Sequence, residues 1–199
     1  MRKSPSKAME QQIPIIVILN GAPGVGKSTT AKLLAKSSKN SVWVRGDDIK
    51  HWIVNRDSED LARGLTYING GACCQNYAKA GYQFIVFDYV FTKKNHVEQF
   101  IENSGMRDCC FLFTLIAPLQ IIKQREGFPQ EFFSSKKILV GAREALRSNR
   151  QPLGKAVDIA YNEIINNKAD LGTFIDTEFL SPQLLCELIN KSIKNKLNL

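Results

Sequence analysis

Short apolar stretches recur along the chain, and longer segments with helical spacing of apolar positions separate them. The first stretch, residues 13–19 with the sequence IPIIVIL, is continuous and rich in β-branched residues, which is typical of a strand buried on both faces. The other strand predictions cover residues 41–45, 83–88, 109–117 and 173–176. Alternation of such strands with helices favours the α/β class, with parallel strands joined by crossover helices.

Helices are predicted between these strands and after the last one. They cover residues 27–36, 57–80, 93–103, 118–126, 130–148, 154–168 and 181–196. Ser181-Pro182 is typical of a helix start, with a serine N-cap before a proline at the first helical position. Residues 125–149 are polar, positively charged and interrupted by Gly127 and Pro129, so we interpret them either as surface helices or as a basic lid over phosphates.

The composition narrows the range of partners and compartments. The 199 residues carry a formal net charge of +8, which favours anionic partners such as nucleotides, phosphorylated metabolites or nucleic acid. The five cysteines lack zinc-ligand spacing, so we expect reduced thiols, no structural zinc and a cytoplasmic protein. The apolar runs are too short to cross a bilayer. Residues 1–12 lack the apolar core of a signal peptide and are predicted to form a flexible arm before a single domain at 13–199.

The sequence GAPGVGKS satisfies the pattern GxxxxGK[ST], and it follows a predicted strand and opens a predicted helix. Glycines there let the backbone N–H groups point into one concavity, which the positive end of the helix dipole also faces. Lys27 would reach the outer phosphates and Ser28 would bind Mg²⁺, so the loop is predicted to hold ATP or GTP. The predicted nucleotide-binding residues are Gly21, Ala22, Pro23, Gly24, Val25, Gly26, Lys27, Ser28 and Thr29.

Acidic residues end the second and third predicted strands, where a parallel sheet forms its ligand crevice. One of Asp47 and Asp48 is predicted to accept a proton from an attacking hydroxyl, and capping of the following helix is the structural alternative. Asp88 follows four apolar residues, which is the Walker B arrangement. It is predicted to hold Mg²⁺ through water or to bind substrate, with a simple strand-end turn as the alternative.

These motifs together resemble those of small P-loop kinases, in particular adenylylsulfate kinases, chloramphenicol phosphotransferases and zeta-toxin-like kinases of the AAA ATPase class. The stretches that carry the resemblance are GAPGVGKSTTAKLLA, GDDIKHWI and GYQFIVFD. The adenylylsulfate kinase pattern G-D-N-[IV]-R implies that Asp47 is the base or orients the acceptor hydroxyl. We prefer Asp47 to Asp48 for this role. The chloramphenicol phosphotransferase pattern implies Asp48 instead.

The resemblance also implies that Arg125, late in the helix after the fourth strand, contacts adenine or phosphate. Arg143, Arg147 and Arg150 follow at spacings of four and three, so on a helix they share one face. If that face is turned to the nucleotide, these arginines would neutralise the charge of the transferring group, and if it is turned to water they only solubilise.

The fold implied is a P-loop NTPase three-layer sandwich. It has a five-stranded parallel sheet in the order 2-3-1-4-5, flanked by helices, with a helical lid over about residues 125–150. The predicted reaction uses ATP and Mg²⁺ and transfers the γ-phosphoryl group to a hydroxyl of a small-molecule acceptor. The acceptor walls are expected to include Trp52, Tyr67, Asn69 and Tyr89, with burial in the core as the alternative for these residues.

Other classes of protein also carry a glycine-loop motif of this kind. A GTPase is disfavoured, because Asn167-Lys168-Ala169-Asp170 spells NKxD at the end of a predicted helix and no DxxG follows the third strand. An oligomeric AAA motor would need a longer module with sensor motifs. A polynucleotide 5′-kinase would suit the positive charge, but no basic stripe interleaved with aromatic residues is present. A nucleotide-binding ATPase without kinase activity is the remaining alternative.

Overall fold

A computed structural model describes residues 13–54, 64–127 and 154–197. Within these ranges the strands are β1 (Ile15–Asn20), β2 (Ser41–Arg45), β3 (Phe84–Asp88), β4 (Cys110–Ile116) and β5 (Thr173–Asp176). All adjacent strands are parallel, and the sheet order is β2-β3-β1-β4-β5. The predicted strand positions and the predicted order are therefore confirmed.

The α-helices of the described ranges are α1 (Lys27–Ser37), α2 (Gly46–His51), α3 (Leu65–Lys79), α4 (Lys94–Ser104), α5 (Leu119–Gly127), α6 (Gly154–Asn166) and α7 (Pro182–Leu197). Helix α2 was not predicted, because its six residues are too few to show a helical period. The predicted arm at 1–12, the helix predicted at 130–148 and most of the predicted lid lie outside the described residues. Ser181 caps α7 as predicted, since its Oγ accepts a hydrogen bond of 3.2 Å from the Leu184 amide.

The core lies on both faces of β1, which is the central strand. Alternation along the strand sends Val17 and Leu19 into one apolar cluster with α1 and α7, and Ile16 and Ile18 into a second cluster with α3 and α4. All four of these side chains are fully buried. Helices therefore cover both faces of the sheet, which makes three layers and leaves the carboxyl ends of the strands as the edge where a site can form.

The cysteine side chains are not joined by disulfide bonds. All five cysteines are free, and burial raises the pKa of Cys110 and of Cys186 to about 11. These two groups are therefore protonated and weakly nucleophilic at neutral pH. Over residues 13–54, 64–127 and 154–197, no helix has both the length and the apolar character that crossing a membrane requires.

Candidate active site

The loop between β1 and α1 has the shape that the glycine pattern predicts. Gly21 has φ +145°, and a Cβ there would lie 2.6 Å from the Leu115 carbonyl oxygen, so no side chain fits. Gly26 has φ +105° and open space around it, so its requirement is conformational. Helix α1 begins at Lys27. The first-turn amides of a helix lack intrahelical acceptors and so remain available to an anion at this end.

The side chains of the loop are arranged around its own backbone. The Lys27 Nζ donates a hydrogen bond of 3.0 Å to the Ala22 carbonyl oxygen. Ala22 and Val25 are buried in the core beneath the loop, and Thr29 is exposed on the first turn of α1. The loop is thus anchored from below by apolar contacts, and its lysine lies across it.

Asn20 is a site residue that sequence reasoning missed. Its side chain is fully buried, and its Oδ1 accepts hydrogen bonds of 2.7 Å from both the Gly21 and the Phe91 amides. Its Nδ2 donates to Thr114 Oγ1 at 3.0 Å. One side-chain amide therefore joins the end of β1 to β4 and to the segment after β3, directly before the loop. The available signal was a polar residue that ends a continuous apolar strand immediately before a glycine motif.

Asp88, at the end of β3, lies beside the loop and is only 4% exposed. Its Oδ2 accepts a hydrogen bond of 2.5 Å from Ser28 Oγ, and its Oδ1 accepts one of 2.6 Å from Trp43 Nε1. Burial raises the pKa of the Asp88 carboxyl, and these two hydrogen bonds oppose that effect. The structure thus brings together the two residues that the sequence predicted as metal ligands.

The donor set at this place suits magnesium. Carboxylate and hydroxyl oxygens are hard ligands, and Mg²⁺ is commonly held by one or two carboxylates together with substrate phosphates and water. In the described part of the chain, no group of three or more His, Cys, Asp or Glu side chains is placed to hold a metal ion by itself. Ser28 and Asp88, beside an anion-binding loop, therefore fit Mg²⁺ delivered with a nucleotide.

Asp47 and Asp48 lie in the first turn of α2, and both are exposed. The N-cap residue is Arg45 and no side chain caps the helix, so the structure does not support the capping alternative. Asp48 forms an ion pair of 3.2 Å with the Arg45 Nη1. The Asp47 carboxylate has no ion-pair or hydrogen-bond partner among the described residues.

The position of α2 follows from the sheet register and from one close contact. Arg45 pairs with Asp88 across β2 and β3, so the acids of α2 follow directly beyond the end of Asp88's strand. Gly46 packs on the ring of Tyr89, where an added Cβ would lie 2.5 Å from the ring Cγ. This glycine therefore lets the helix approach the residue that follows Asp88.

The structure places the predicted acceptor-wall residues in different surroundings, and an acceptor role for Trp52, Asn69 and Tyr89 stays a prediction. Tyr67 is buried, its hydroxyl donates to the Val90 carbonyl oxygen at 3.0 Å, and its ring stacks on His96 with centroids 4.3 Å apart. The core alternative therefore holds for Tyr67. Trp52 is 62% exposed, Asn69 is exposed and Tyr89 is half-buried.

Arg125 lies near β5, the edge strand opposite β2. It is on α5, and its Nη2 donates hydrogen bonds of 2.9 and 3.0 Å to the carbonyl oxygens of Thr177 and Glu178. The arginine is thereby joined to the segment that follows β5. Arg143, Arg147 and Arg150 lie outside the described residues.

A glycine loop between the first strand and helix, and a buried acid at the end of the neighbouring strand, define a P-loop nucleotide-binding fold when they lie on this sheet. The strand order and flanking helices are those expected for small P-loop kinases. Residues 16–127 match the family model AAA_33, described as an AAA domain, and the chain belongs to that family.

Three solved structures that share this fold are distant from the chain in sequence. The tunicamycin resistance protein of Deinococcus radiodurans is 19% identical with a TM-score of 0.60, over 90% of this chain and 95% of that one. Shikimate kinase from Bacteroides thetaiotaomicron is 14% identical with a TM-score of 0.53, over 93% and 99%. A chain of the Pnkp1/Rnl/Hen1 RNA repair complex is 16% identical with a TM-score of 0.57, over 82% of this chain but 48% of that one. Among curated proteins, none matches the sequence.

Proposed function

We propose that this protein is an ATP- and Mg²⁺-dependent phosphotransferase that moves the γ-phosphoryl group to a hydroxyl of a small-molecule acceptor. The observation that carries the proposal is the contact of 2.5 Å between Ser28 and the buried Asp88 beside the glycine loop. A buried acid next to an anion-binding loop is the arrangement that a metal–nucleotide complex requires. The fold shared with a shikimate kinase supports the same chemistry.

The loop and its neighbours would position the donor. The backbone amides of the loop would bind the β- and γ-phosphates together with Lys27. The Lys27 ammonium would then donate its hydrogen bond to phosphate in place of the Ala22 carbonyl oxygen. Ser28 and Asp88 would hold magnesium, which when bound neutralises charge on the phosphate oxygens. Because phosphoryl transfer depends mainly on positioning and charge neutralisation, these contacts would account for most of the catalysis.

The Asp47 carboxylate would bind the hydroxyl of the acceptor. Its carboxylate is exposed and has no partner in the described residues, whereas the Asp48 carboxylate is engaged by Arg45. A carboxylate without a partner can accept the hydroxyl proton, or orient the hydroxyl for in-line attack, without first breaking an ion pair. Asp48 remains the second candidate for this role.

Arg125 would contribute from the other side. It is anchored on the carbonyl oxygens of Thr177 and Glu178, so its guanidinium is placed where the segment after β5 meets α5. We propose that this region contacts the adenine or the phosphates, and that one or more of Arg143, Arg147 and Arg150 close over the nucleotide from a lid at about residues 125–150. Closure of that kind would exclude water from the transferring group. Five free thiols suit a cytoplasmic enzyme.

A second candidate is a polynucleotide 5′-kinase. It is favoured by the net charge of +8 and by the fold shared with a chain of an RNA repair complex. A nucleotide-binding ATPase with no acceptor is the third, and it would use the same loop without Asp47.

The test is a screen for ADP formation. ATP and Mg²⁺ are supplied with sugars, nucleosides, aminoglycoside-like and phenolic alcohols in one arm, and with 5′-hydroxyl oligonucleotides in the other. We expect ADP formation that depends on an alcohol from the first arm, with a phosphorylated product of matching stoichiometry. Stimulation by oligonucleotides alone would establish the second candidate instead, and ADP formation that no acceptor changes would refute kinase activity.

A further inference from the structure

Asp88 is held by two side chains, and only one of them belongs to the glycine loop. Ser28 contacts Oδ2, whereas the Oδ1 partner is Trp43, in the middle of β2. Trp43 pairs with Val86 across the two strands, so its indole lies one step back from the end of the sheet. From there the ring nitrogen reaches forward to the carboxylate at 2.6 Å.

Two donors on opposite oxygens determine the orientation of a carboxylate group. With a donor at each oxygen, rotation about the Cβ–Cγ bond breaks both hydrogen bonds at once. Asp88 is buried, so water cannot replace either partner cheaply. The indole N–H therefore holds Oδ2 on the side of Ser28, where the loop would present a nucleotide and its metal.

The indole ring is also in contact with other parts of the chain. Part of it packs against the apolar cluster that contains Val17 and Leu34. The guanidinium carbon of Arg45 lies 5.5 Å from the ring centroid, within the range of a cation–π contact. Arg45 also binds Asp48, so the ring is covered by a residue tied to the first turn of α2. A rigid donor of this kind costs little conformational entropy when it orients a ligand.

From this arrangement we propose that Trp43 is a positioning residue for the metal–nucleotide complex, with its indole N–H aligning the Asp88 carboxylate for magnesium. The inference rests on the proposed function, because it assigns a role to Trp43 at the same site. The glycine-loop motif and the strand-end acid do not require an aromatic residue at this place, so the role comes from the geometry of this chain. Trp43 acts through Asp88 and does not itself contact the reacting atoms.

The experiment uses the fact that the chain contains two tryptophans, Trp43 and the exposed Trp52. In a Trp52→Phe background, growth of a tryptophan auxotroph on 3-benzothienylalanine replaces only Trp43, and it exchanges the N–H for sulfur with almost no change of shape. The matched control is Trp52→Phe with ordinary tryptophan. Binding of a fluorescent ATP analogue is titrated against Mg²⁺ for both proteins, and thermal denaturation checks that both are folded.

We expect the Mg²⁺ concentration for half-maximal tight binding to rise about tenfold in the sulfur analogue, since loss of a group that orients a metal ligand has effects of that size. Metal-free affinity for the nucleotide should stay within about twofold. Equal Mg²⁺ dependence in the two proteins, or an equal loss of affinity with and without Mg²⁺, would overturn the role of Trp43. A control protein that binds nucleotide without any Mg²⁺ dependence would instead overturn the proposed function, and this inference with it.

A second measurement needs no change at Trp43. In the ¹⁵N-labelled Trp52→Phe protein, the indole N–H of Trp43 gives a single resonance. It should shift when Mg²⁺ is added to the ADP-bound protein, and it should shift far less when Mg²⁺ is added without nucleotide. A resonance that is insensitive to Mg²⁺ in the ADP complex would contradict the proposal even if the sulfur analogue failed to fold.

Discussion

At the scale of single residues, the buried carboxylate of Asp88 lowers the stability of the fold, although the same negative charge is what would bind a metal ion. Burial raises the pKa of its carboxyl, and the hydrogen bonds from Ser28 and Trp43 and the charges of Lys27 and Arg45 reduce that rise without cancelling it. A raised pKa in the folded state means that the charged form is disfavoured by folding. The stability that this group contributes is therefore greatest at low pH and is lost as the pH rises through its folded pKa.

The first prediction follows for Asp88→Asn. The amide oxygen can accept from Trp43 while the amide nitrogen donates to Ser28, so both contacts survive without the buried charge. We expect the free energy of unfolding at neutral pH to be unchanged or higher by up to about 1 kcal/mol. The advantage over the wild type should grow as the pH rises through the folded pKa of Asp88. Urea denaturation at several pH values measures it.

The same variant should lose Mg²⁺-dependent nucleotide binding by at least about tenfold, because an amide is a poor substitute for a charged metal ligand. Ser28→Ala serves as a comparison, since it removes the other predicted ligand. If Asp88→Asn instead destabilised the protein by more than about 2 kcal/mol and bound Mg²⁺–nucleotide normally, the role of Asp88 would be structural.

The second prediction separates Asp47 from Asp48, which are matched neighbours on one helical turn. Asp47→Asn should lower kcat by about 10² to 10⁴ with nucleotide affinity unchanged, which is the usual range for loss of a general base. Asp48→Asn breaks only an exposed ion pair with Arg45 and should change kcat by less than about tenfold. Steady-state kinetics with the acceptor found in the screen decide between them. A larger loss in Asp48→Asn would transfer the role to that residue.

The third prediction concerns His96, whose ring stacks on Tyr67 and whose Nδ1 is buried without a partner in the described residues. Burial, followed by the charge of Lys93, lowers its pKa, so the folded state favours the neutral ring. The stability it contributes is present above the unfolded pKa of about 6.5 and is lost as the pH falls through the folded pKa.

His96→Phe keeps an aromatic ring on Tyr67 and removes the titration. Acidification from about pH 7 to about pH 5 should therefore destabilise the wild type more than this variant, by less than about 1 kcal/mol for a half-buried ring. The chain has one other histidine, the exposed His51, so His51→Gln is the control. Identical pH dependence in wild type and His96→Phe would show that His96 does not contribute.

At the scale of elements, the strands were predictable and the shortest helix was not. Residues such as Ile16, Ile18 and Val86 lie in continuous apolar runs, and such runs predict strands that are buried on both faces. Helix α2 has six residues, fewer than two turns, so no period was visible around the acids that the sequence itself identified. Asn20 was missed for a related reason, because two of its three hydrogen bonds, those with Thr114 and Phe91, join segments that are distant in sequence.

The fourth prediction tests how α2 is seated. Gly46→Ala would place a methyl group 2.5 Å from the Tyr89 ring, so helix or ring must move. We expect a loss of stability of about 1 to 3 kcal/mol and a fall in acceptor-dependent turnover that exceeds the fall in nucleotide affinity. A Tyr89→Ala background makes room for the methyl group. The cost of Gly46→Ala should be smaller there, and an equal cost in both backgrounds would show that the contact does not position α2.

At the scale of the whole molecule, the order of strands explains why residues far apart in sequence share one edge. Asp47 and Asp48 follow β2, Asp88 ends β3, the loop follows β1 and Arg125 binds the segment after β5. The predicted site residues within the described ranges are therefore distributed along the carboxyl ends of the strands. The glycine motif predicted the central part of that site, because backbone geometry and chemistry are both encoded in a short pattern. The acceptor walls have no such pattern. An aromatic residue such as Trp52 or Tyr89 can serve either in packing or in ligand binding, so its presence in the sequence does not distinguish the two roles.

The central claim is that the loop at residues 21–28 binds a nucleotide with its metal. The most direct measurement is a calorimetric titration of ATP, and of GTP, into the full chain with Mg²⁺ and with a chelator, beside the same titration of Lys27→Met. The account predicts saturable binding of one purine triphosphate per chain that is stronger with Mg²⁺ and is largely abolished in Lys27→Met. Absence of binding to either nucleotide, or equal binding by wild type and Lys27→Met, would contradict it.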